Sequence, residues 1–191
     1  MGRMKKEGRK IVIIRGQSTA GKTTISHALA HVLPGWIFID IWKIKEMFEP
    51  LGLDDRTVIK SASKKAVMAV TKEVMEKLGT NIILQEADRR FLINRLRSYL
   101  KENKYNVYSF FLFVNYDTAI KRDRIRKKPT MHIKNLFTRE SWKKNQLRYE
   151  KEDIRIDTTN RLIQETIDLI LKEIGEKRKK HPKAEIIRET W

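Results

Sequence analysis

Four short apolar runs and one alternating segment follow one another along the chain, separated by amphipathic or polar stretches. The runs predict buried strands over 10–15, 36–41, 81–86 and 105–114, and the alternation predicts a fifth strand over 153–159. Apolar residues that recur every three or four positions predict helices over 24–33, 55–78 and 160–174, and further helices are predicted over 42–48, 89–103, 117–128 and 139–151. Strands that alternate with helices indicate a parallel sheet covered on both faces. The pattern therefore predicts an α/β fold arranged in three layers.

A glycine-rich segment joins the first predicted strand to the first predicted helix and fits G-x-x-x-x-G-K-[ST] in every specified position. The backbone N–H groups of such a loop, together with the positive end of the following helix, bind the phosphates of a nucleotide. We expect Lys22 to bridge β- and γ-phosphate oxygens, and the Thr23 hydroxyl to hold Mg²⁺. The expected nucleotide-binding residues of this loop are Gly16, Gln17, Ser18, Thr19, Ala20, Gly21, Lys22, Thr23 and Thr24.

The second predicted strand ends in the carboxylate of Asp40. Ligands of open parallel sheets bind beyond the carboxyl ends of the strands, so we expect Asp40 to face the same crevice as the phosphate loop. A carboxylate there accepts the proton of an attacking hydroxyl or orients that hydroxyl toward the γ-phosphorus. The alternative role of Asp40 is to cap the next helix. Lys43 lies on that helix, where it either contacts the substrate or is solvated.

The third predicted strand ends in Glu86, in the position of a Walker B acid, where it would bind a water on Mg²⁺. Arg89 and Arg90 follow at the edge of the crevice. A guanidinium there grips an acceptor phosphate or carboxylate through two parallel hydrogen bonds. The alternative is that both arginines are solvated on the next helix.

A run of basic residues follows the fourth predicted strand, with arginines at alternating positions 122, 124 and 126. Residues two apart cannot share a helix face, so at least one arginine must turn toward the strand ends. We expect a lid over about 117–130 in which Arg122 and Arg126 stabilise charge on the transferring phosphoryl group. Solvated charge is the alternative.

Composition limits the class of protein and its partners. The 191 residues are 40% hydrophobic, enough for one ordinary core, and the absence of cysteine excludes disulfides and thiolate metal sites. No membrane-spanning run or signal-peptide core is recognisable, so we expect a cytoplasmic protein with no membrane partner. The net charge of +18 favours polyanions such as nucleic acid, although a composition rich in Lys and Glu is also typical of thermophile proteins.

The chain resembles P-loop kinases of the nucleoside-monophosphate-kinase-like group, and within it chloramphenicol phosphotransferase-like and polynucleotide kinase-like enzymes. The resemblance rests on the Ser18 to Thr23 form of the loop, the strand ending at Asp40 and the turn after Asp157. It implies strand order 2-3-1-4-5, ATP and Mg²⁺ as cofactors, and Asp40 as the base. It also implies a kinase domain over 10–175 between a basic lead-in (1–9) and a basic tail (176–191), and that Asp157 and Thr158 border the adenine.

The sequence leaves the acceptor hydroxyl open. Net charge and clustered arginines favour the 5′-hydroxyl end of RNA or DNA. The closer likeness to antibiotic kinases favours a small alcohol such as a nucleoside, a sugar or a chloramphenicol-like compound. A non-catalytic module that binds nucleotide or nucleic acid is the alternative of another class, because P-loop folds serve many functions. The oligomeric state is left open as well.

Overall fold

The computed structural model describes residues 8–48, 56–85, 91–126 and 137–178. The strands are β1 (Lys10–Gly16), β2 (Ile37–Asp40), β3 (Ile82–Gln85), β4 (Asn106–Phe113) and β5 (Asp153–Asp157). The helices are α1 (Lys22–Val32), α2 (Ile41–Glu46), α3 (Arg56–Glu73), α4 (Phe91–Glu102), α5 (Tyr116–Arg124), α6 (Arg139–Gln146) and α7 (Ile163–Glu173). Helices and strands alternate in the order that the hydrophobic pattern predicts.

The five strands form one sheet in the order β2-β3-β1-β4-β5. β2 runs parallel to β3 with Asp40 opposite Gln85, and β4 runs parallel to β5 with Phe113 opposite Asp157. This order confirms the predicted α/β P-loop fold. Within the described ranges, every helix is too short or too polar to span a lipid bilayer.

The chain divides into two compact units. The first unit combines Met1–Ile13 with Gly35–Tyr108, and the second combines Ile14–Pro34 with Ser109–Trp191. In the first unit, α3 packs against α2 and α4. The core of this unit is an apolar cluster that includes the buried residues Ile11, Ile39, Val67, Ile82 and Leu96.

The second unit contains the glycine-rich loop and the last two strands. Here α1 packs against α7, and α5 packs against α6. Ile25 and Leu29 of α1 are buried, as are Ile167 and Ile170 of α7. Trp142 of α6 is fully buried as well, which fixes that short and otherwise polar helix to the rest of the second unit.

The ends of three helices test the sequence prediction. α3 passes into a π-helical turn at Val74–Leu78, where the Gly79 amide donates to the Val74 carbonyl, and the left-handed Gly79 ends the helix at the predicted position. α5 stops at Arg124, so the predicted continuation through position 126 is wrong. Ile125 ends that helix with a backbone bond to Asp123.

The prediction that α6 continues to position 151 is also wrong, because the helix ends at Gln146. Beyond it, one tertiary and one local contact engage backbone groups that a longer helix would use. The Arg148 carbonyl accepts a hydrogen bond from Arg15, and the Glu150 amide donates to the Asp153 carboxylate at 2.6 Å. The chain therefore leaves the helix and reaches β5 through a non-helical segment over 147–152.

Candidate active site

The glycine-rich loop occupies 16–23, between β1 and α1, and its backbone is sharply curved. Gly16, Thr19 and Gly21 all have positive φ angles, of 134°, 58° and 88°. Gly16 lies so close to β4 that an added Cβ would fall 1.9 Å from the Leu112 carbonyl oxygen. Only glycine fits at this position, because any side chain would collide with β4 backbone that cannot move aside. The first glycine of the motif thus sets the close approach of loop and strand.

Gln17 fastens the loop to β4 and α6. Its backbone amide donates to the Leu112 carbonyl at 3.0 Å. Its buried side chain accepts a hydrogen bond from the Val114 amide at 3.0 Å and donates one to the Trp142 carbonyl at 3.2 Å. The Val114 carbonyl in turn accepts hydrogen bonds from the indole N–H of Trp142 and from the side-chain amide of Gln146. Side chains therefore satisfy both backbone groups of Val114, one residue beyond the end of β4.

Lys22 begins α1, and its ammonium lies inside the loop. It donates to the carbonyl oxygens of Gly16 and Gln17, at 3.0 and 2.5 Å. Burial, and secondarily the positive charge of Arg126, lower the pKa of Lys22 from 10.5 to about 8. A cation in this state is stabilised by an anion bound within the loop, so the donor set fits a phosphate group.

Arg122 of α5 is half-buried and holds the loop to the turn after β5. Its guanidinium donates to the Thr158 carbonyl at 2.6 Å, to the Thr158 hydroxyl at 3.2 Å and to the Thr19 carbonyl at 3.4 Å. The Thr158 hydroxyl is shared between the carbonyls of Ala20 and Phe113, both at 3.1 Å. Burial lowers the pKa of Arg122, and the Asp157 carboxylate partly offsets this. The structure thus brings the predicted lid arginine and the predicted adenine-side threonine together on the loop.

The turn after β5 is organised by Asp157. One of its carboxylate oxygens accepts from the Thr159 amide at 2.9 Å and from the Thr159 hydroxyl at 2.6 Å. A cavity of about 650 Å³ adjoins this turn, and its lining includes Asn160, Arg161 and Glu165. Asp157 also lines the cavity, whereas Thr158 points back to the loop.

The remaining predicted site residues are placed as follows. Asp40 is the last residue of β2 and immediately precedes α2, a position that fits both the base and the helix-capping role. Lys43 is exposed on α2, and Thr23 is exposed in the first turn of α1. Arg126 is exposed two residues beyond α5, near enough to Lys22 to lower its pKa. Glu86, Arg89 and Arg90 lie outside the described residues.

The sequence analysis did not predict the contacts of Gln17 with α6. Gln17 occupies one of the unspecified positions of the motif, and Trp142 carries no motif at all. Gln17 was predicted as a nucleotide-binding residue, but no local signal indicated its contact with Trp142, because the two residues are far apart in the chain.

A parallel sheet of order 2-3-1-4-5 with a glycine-rich loop after β1 defines a P-loop nucleotide-binding protein. The family model "Chloramphenicol phosphotransferase-like protein" matches residues 9–175. The chain therefore belongs to the chloramphenicol phosphotransferase-like family, and it is a P-loop phosphotransferase. This confirms the resemblance drawn from the loop and strand residues. No curated protein matches the chain.

Solved structures share the fold at low sequence identity. The tunicamycin resistance protein of Deinococcus radiodurans matches with a TM-score of 0.63 and 18% identity, over 88% of this chain and 98% of that one. The APS kinase CysC of Mycobacterium tuberculosis, in complex with AMPPNP and APS, matches with a TM-score of 0.59 and 12% identity, over 88% and 99%. A chain of the Pnkp1/Rnl/Hen1 RNA repair complex gives 0.57 and 15%, over 80% of this chain and 50% of that one.

Proposed function

We propose that this phosphotransferase uses ATP and Mg²⁺ to phosphorylate a hydroxyl group, with the 5′-hydroxyl end of RNA or DNA as the favoured acceptor. The observation that carries the assignment of the nucleotide is the state of Lys22. Its ammonium is partly buried inside the loop, bonded only to backbone carbonyls among the contacts described, with its pKa lowered by burial and by a second cation. A triphosphate supplies the negative charge that this arrangement lacks.

The chemistry assigned to the residues is an in-line transfer. The acceptor oxygen forms a bond to the γ-phosphorus while the bond between that phosphorus and the β–γ bridging oxygen breaks, and ADP leaves. Lys22 neutralises charge on the β- and γ-phosphate oxygens, and Arg126 adds positive charge beside it. Asp40 accepts the proton of the acceptor hydroxyl. Arg122 holds the loop and the Thr158 turn in place for the nucleotide.

Mg²⁺ belongs to this proposal through the donors Thr23 and Glu86. The Thr23 hydroxyl stands in the first turn of α1, as the P-loop motif requires, and the assignment of Glu86 rests on the sequence alone. When bound, the metal neutralises charge between the β- and γ-phosphates.

Net charge supports a nucleic-acid acceptor, since Lys and Arg outnumber Asp and Glu by 42 to 24. The same fold occurs in a chain of an RNA repair complex. The second candidate acceptor is a small alcohol, and membership of the chloramphenicol phosphotransferase-like family favours it. An assay that offers both acceptor classes decides between them.

The test uses γ-labelled ATP, one 5′-hydroxyl oligonucleotide and a panel of nucleosides, sugars and chloramphenicol. We expect label on the 5′ end of the oligonucleotide, with none when that end already carries phosphate. Transfer only to a member of the panel would establish the small-alcohol acceptor. If neither the oligonucleotide nor any member of the panel stimulates ATP consumption, both proposed acceptor classes are wrong.

The base assignment is tested by Asp40→Asn. We expect kcat to fall about 10²–10⁴-fold, the range of general-base catalysis, with ATP affinity unchanged. Glu102→Gln is the matched control, because it makes the same change of charge at an exposed carboxylate on α4. If Asp40→Asn transfers phosphate at the normal rate, Asp40 acts as a helix cap and not as the base.

A further inference from the structure

Arg155 lies on β5, the strand at the end of the sheet order, and its exposed side chain contacts two aromatic rings. The guanidinium carbon is 4.1 Å from the ring centroid of Tyr149 and 4.9 Å from that of Phe113. Both distances are within cation–π range, so the two rings support the guanidinium. Among the described residues, the Arg155 side chain forms no hydrogen bond and no ion pair.

Arg139 shows what a stacked arginine of this protein does when an anion is present. Its guanidinium carbon lies 5.2 Å from the Tyr116 ring centroid. Its two terminal nitrogens donate to the two carboxylate oxygens of Asp117, at 2.8 and 2.6 Å. Arg155 has the same kind of aromatic support without the carboxylate. Its N–H donors can therefore bind an anion from outside the described chain.

The backbone around Arg155 is held in place by buried polar contacts. Arg15, which is almost fully buried, donates to the Arg148 carbonyl at 3.2 Å and pairs with Asp153 at 3.3 Å. Asp153 also accepts hydrogen bonds from the Ser109 hydroxyl and, within its turn, from the Glu150 amide. The segment that carries Tyr149 is thus fixed, and the Tyr149 ring in turn restrains the Arg155 side chain. A restrained arginine loses little conformational entropy when it binds a ligand.

Arg155 has two cationic neighbours in the segment before β5. Arg148 and Lys151 are exposed on either side of Tyr149 in the sequence, and neither forms an ion pair with a described residue. Glu150 and Glu152 are exposed in the same segment and reduce the local excess of positive charge, but the chain as a whole carries +18. Arg155 stands on open surface and does not line the cavity beside Asp157, which suits a strand better than an enclosed small molecule.

We propose that Arg155, flanked by Arg148 and Lys151, binds the phosphate backbone of a nucleic-acid strand; we call these three residues the Arg155 surface. Contacts of this kind hold a strand without reading its bases. The proposal goes beyond the kinase function and does not require that the nucleic acid be the acceptor.

The test measures binding of a fluorescent single-stranded RNA that carries a 5′-phosphate, in the absence of ATP, across a range of salt concentrations. Neither phosphoryl transfer nor recognition of a 5′-hydroxyl contributes to this signal, so its outcome is separate from that of the proposed function. We expect Arg155→Gln to weaken binding about threefold or more and to reduce the slope of log K against log salt by roughly 0.7 per lost phosphate contact.

Arg139→Gln is the matched control, because it removes the same charge from a stacked arginine whose donors are already bonded to Asp117. We expect it to leave affinity and slope unchanged, and Arg155→Lys to give an intermediate loss because it keeps the charge without the planar donor set. Thermal melts verify that the variants are folded. Equal effects of Arg155→Gln and Arg139→Gln would overturn the proposal. So would equal competition by a polyglutamate peptide, which would indicate an acidic protein partner.

Discussion

The side-chain amide of Gln17 in the phosphate loop donates a hydrogen bond to the backbone carbonyl of Trp142, 125 positions further along the chain. Arg122 of α5 donates to the carbonyl of Thr19 in the same loop. Both α5 and α6 are therefore hydrogen-bonded to the phosphate loop. The loop is held by its surroundings as well as by its own glycines.

Replacing Gln17 by Met keeps the volume of the side chain but removes both of its hydrogen bonds. The Val114 amide and the Trp142 carbonyl would each lose a partner in a buried place, at a cost of about 1–3 kcal/mol per unsatisfied group. We expect the free energy of unfolding, measured by urea denaturation, to fall by about 2–6 kcal/mol, the sum for the two groups. Gln164→Met, an exposed site on α7, serves as control and should change stability by less than about 0.5 kcal/mol.

Gly16→Ala places a methyl group against the backbone of β4. The Cβ would lie 1.9 Å from the Leu112 carbonyl oxygen, and the φ of 134° is itself unfavourable for alanine. We expect a loss of roughly 3 kcal/mol or more, because clash and backbone strain act together. Gly175→Ala, at φ 68° with open space around the Cβ position, isolates the strain alone, about 1–2 kcal/mol. Similar melting temperatures for the two variants would contradict the close approach of loop and strand.

Thr158→Val removes one hydroxyl and leaves the shape of the side chain. That hydroxyl bonds to the carbonyls of Ala20 and Phe113 and accepts from Arg122, so its loss weakens the attachment of the turn after β5 to the loop. We expect weaker ATP binding together with a destabilisation of about 1–2 kcal/mol. Thr166→Val is the control, because the Leu162 carbonyl that Thr166 contacts also accepts the Thr166 backbone amide. If both variants bind ATP equally well, the Thr158 contact does not support the nucleotide site.

The lowered pKa of Lys22 predicts a pH dependence of ATP binding. Without nucleotide the ammonium loses its proton as the pH rises through about 8, whereas a bound triphosphate raises its pKa and keeps it charged. Binding therefore takes up a proton above that pH, and ATP affinity should fall by up to about tenfold per pH unit. Calorimetric titrations in buffers of different ionisation enthalpy measure both the affinity and the proton uptake.

The same pKa sets the sign of a stability effect. Between about pH 8 and the ordinary lysine value of 10.5, the unfolded chain binds more protons at Lys22 than the folded protein does. The contribution of Lys22 to the stability of the fold therefore rises with pH in that window, and the free-energy penalty for the buried charge is fully present below it.

Lys22→Arg is the control for the proton uptake on ATP binding, because arginine stays charged throughout this pH range. Proton uptake by this variant above pH 8 would show that another group is responsible.

Local signals in the sequence were enough to establish the fold class, the order of the elements and the location of the phosphate loop. These signals are apolar runs for the strands, a three-to-four-residue period for the helices, and one motif whose glycines and lysine have fixed positions. Asp40 was predicted at the end of the second strand for the same reason, since a strand and the polar residue that ends it are adjacent in the chain.

The directions in which the long polar side chains turn were settled by the folded structure alone. The spacing of the three arginines after β4 predicted that at least one of them faces inward, but not which one. The structure shows that it is Arg122, which donates to Thr19 and Thr158. The early end of α6, the attachment of Gln17 to Trp142 and the stacking of Arg155 likewise depend on residues from other elements. Such contacts leave no local period, because the free energy of each is set by groups that are distant in sequence and become neighbours only once the sheet has formed.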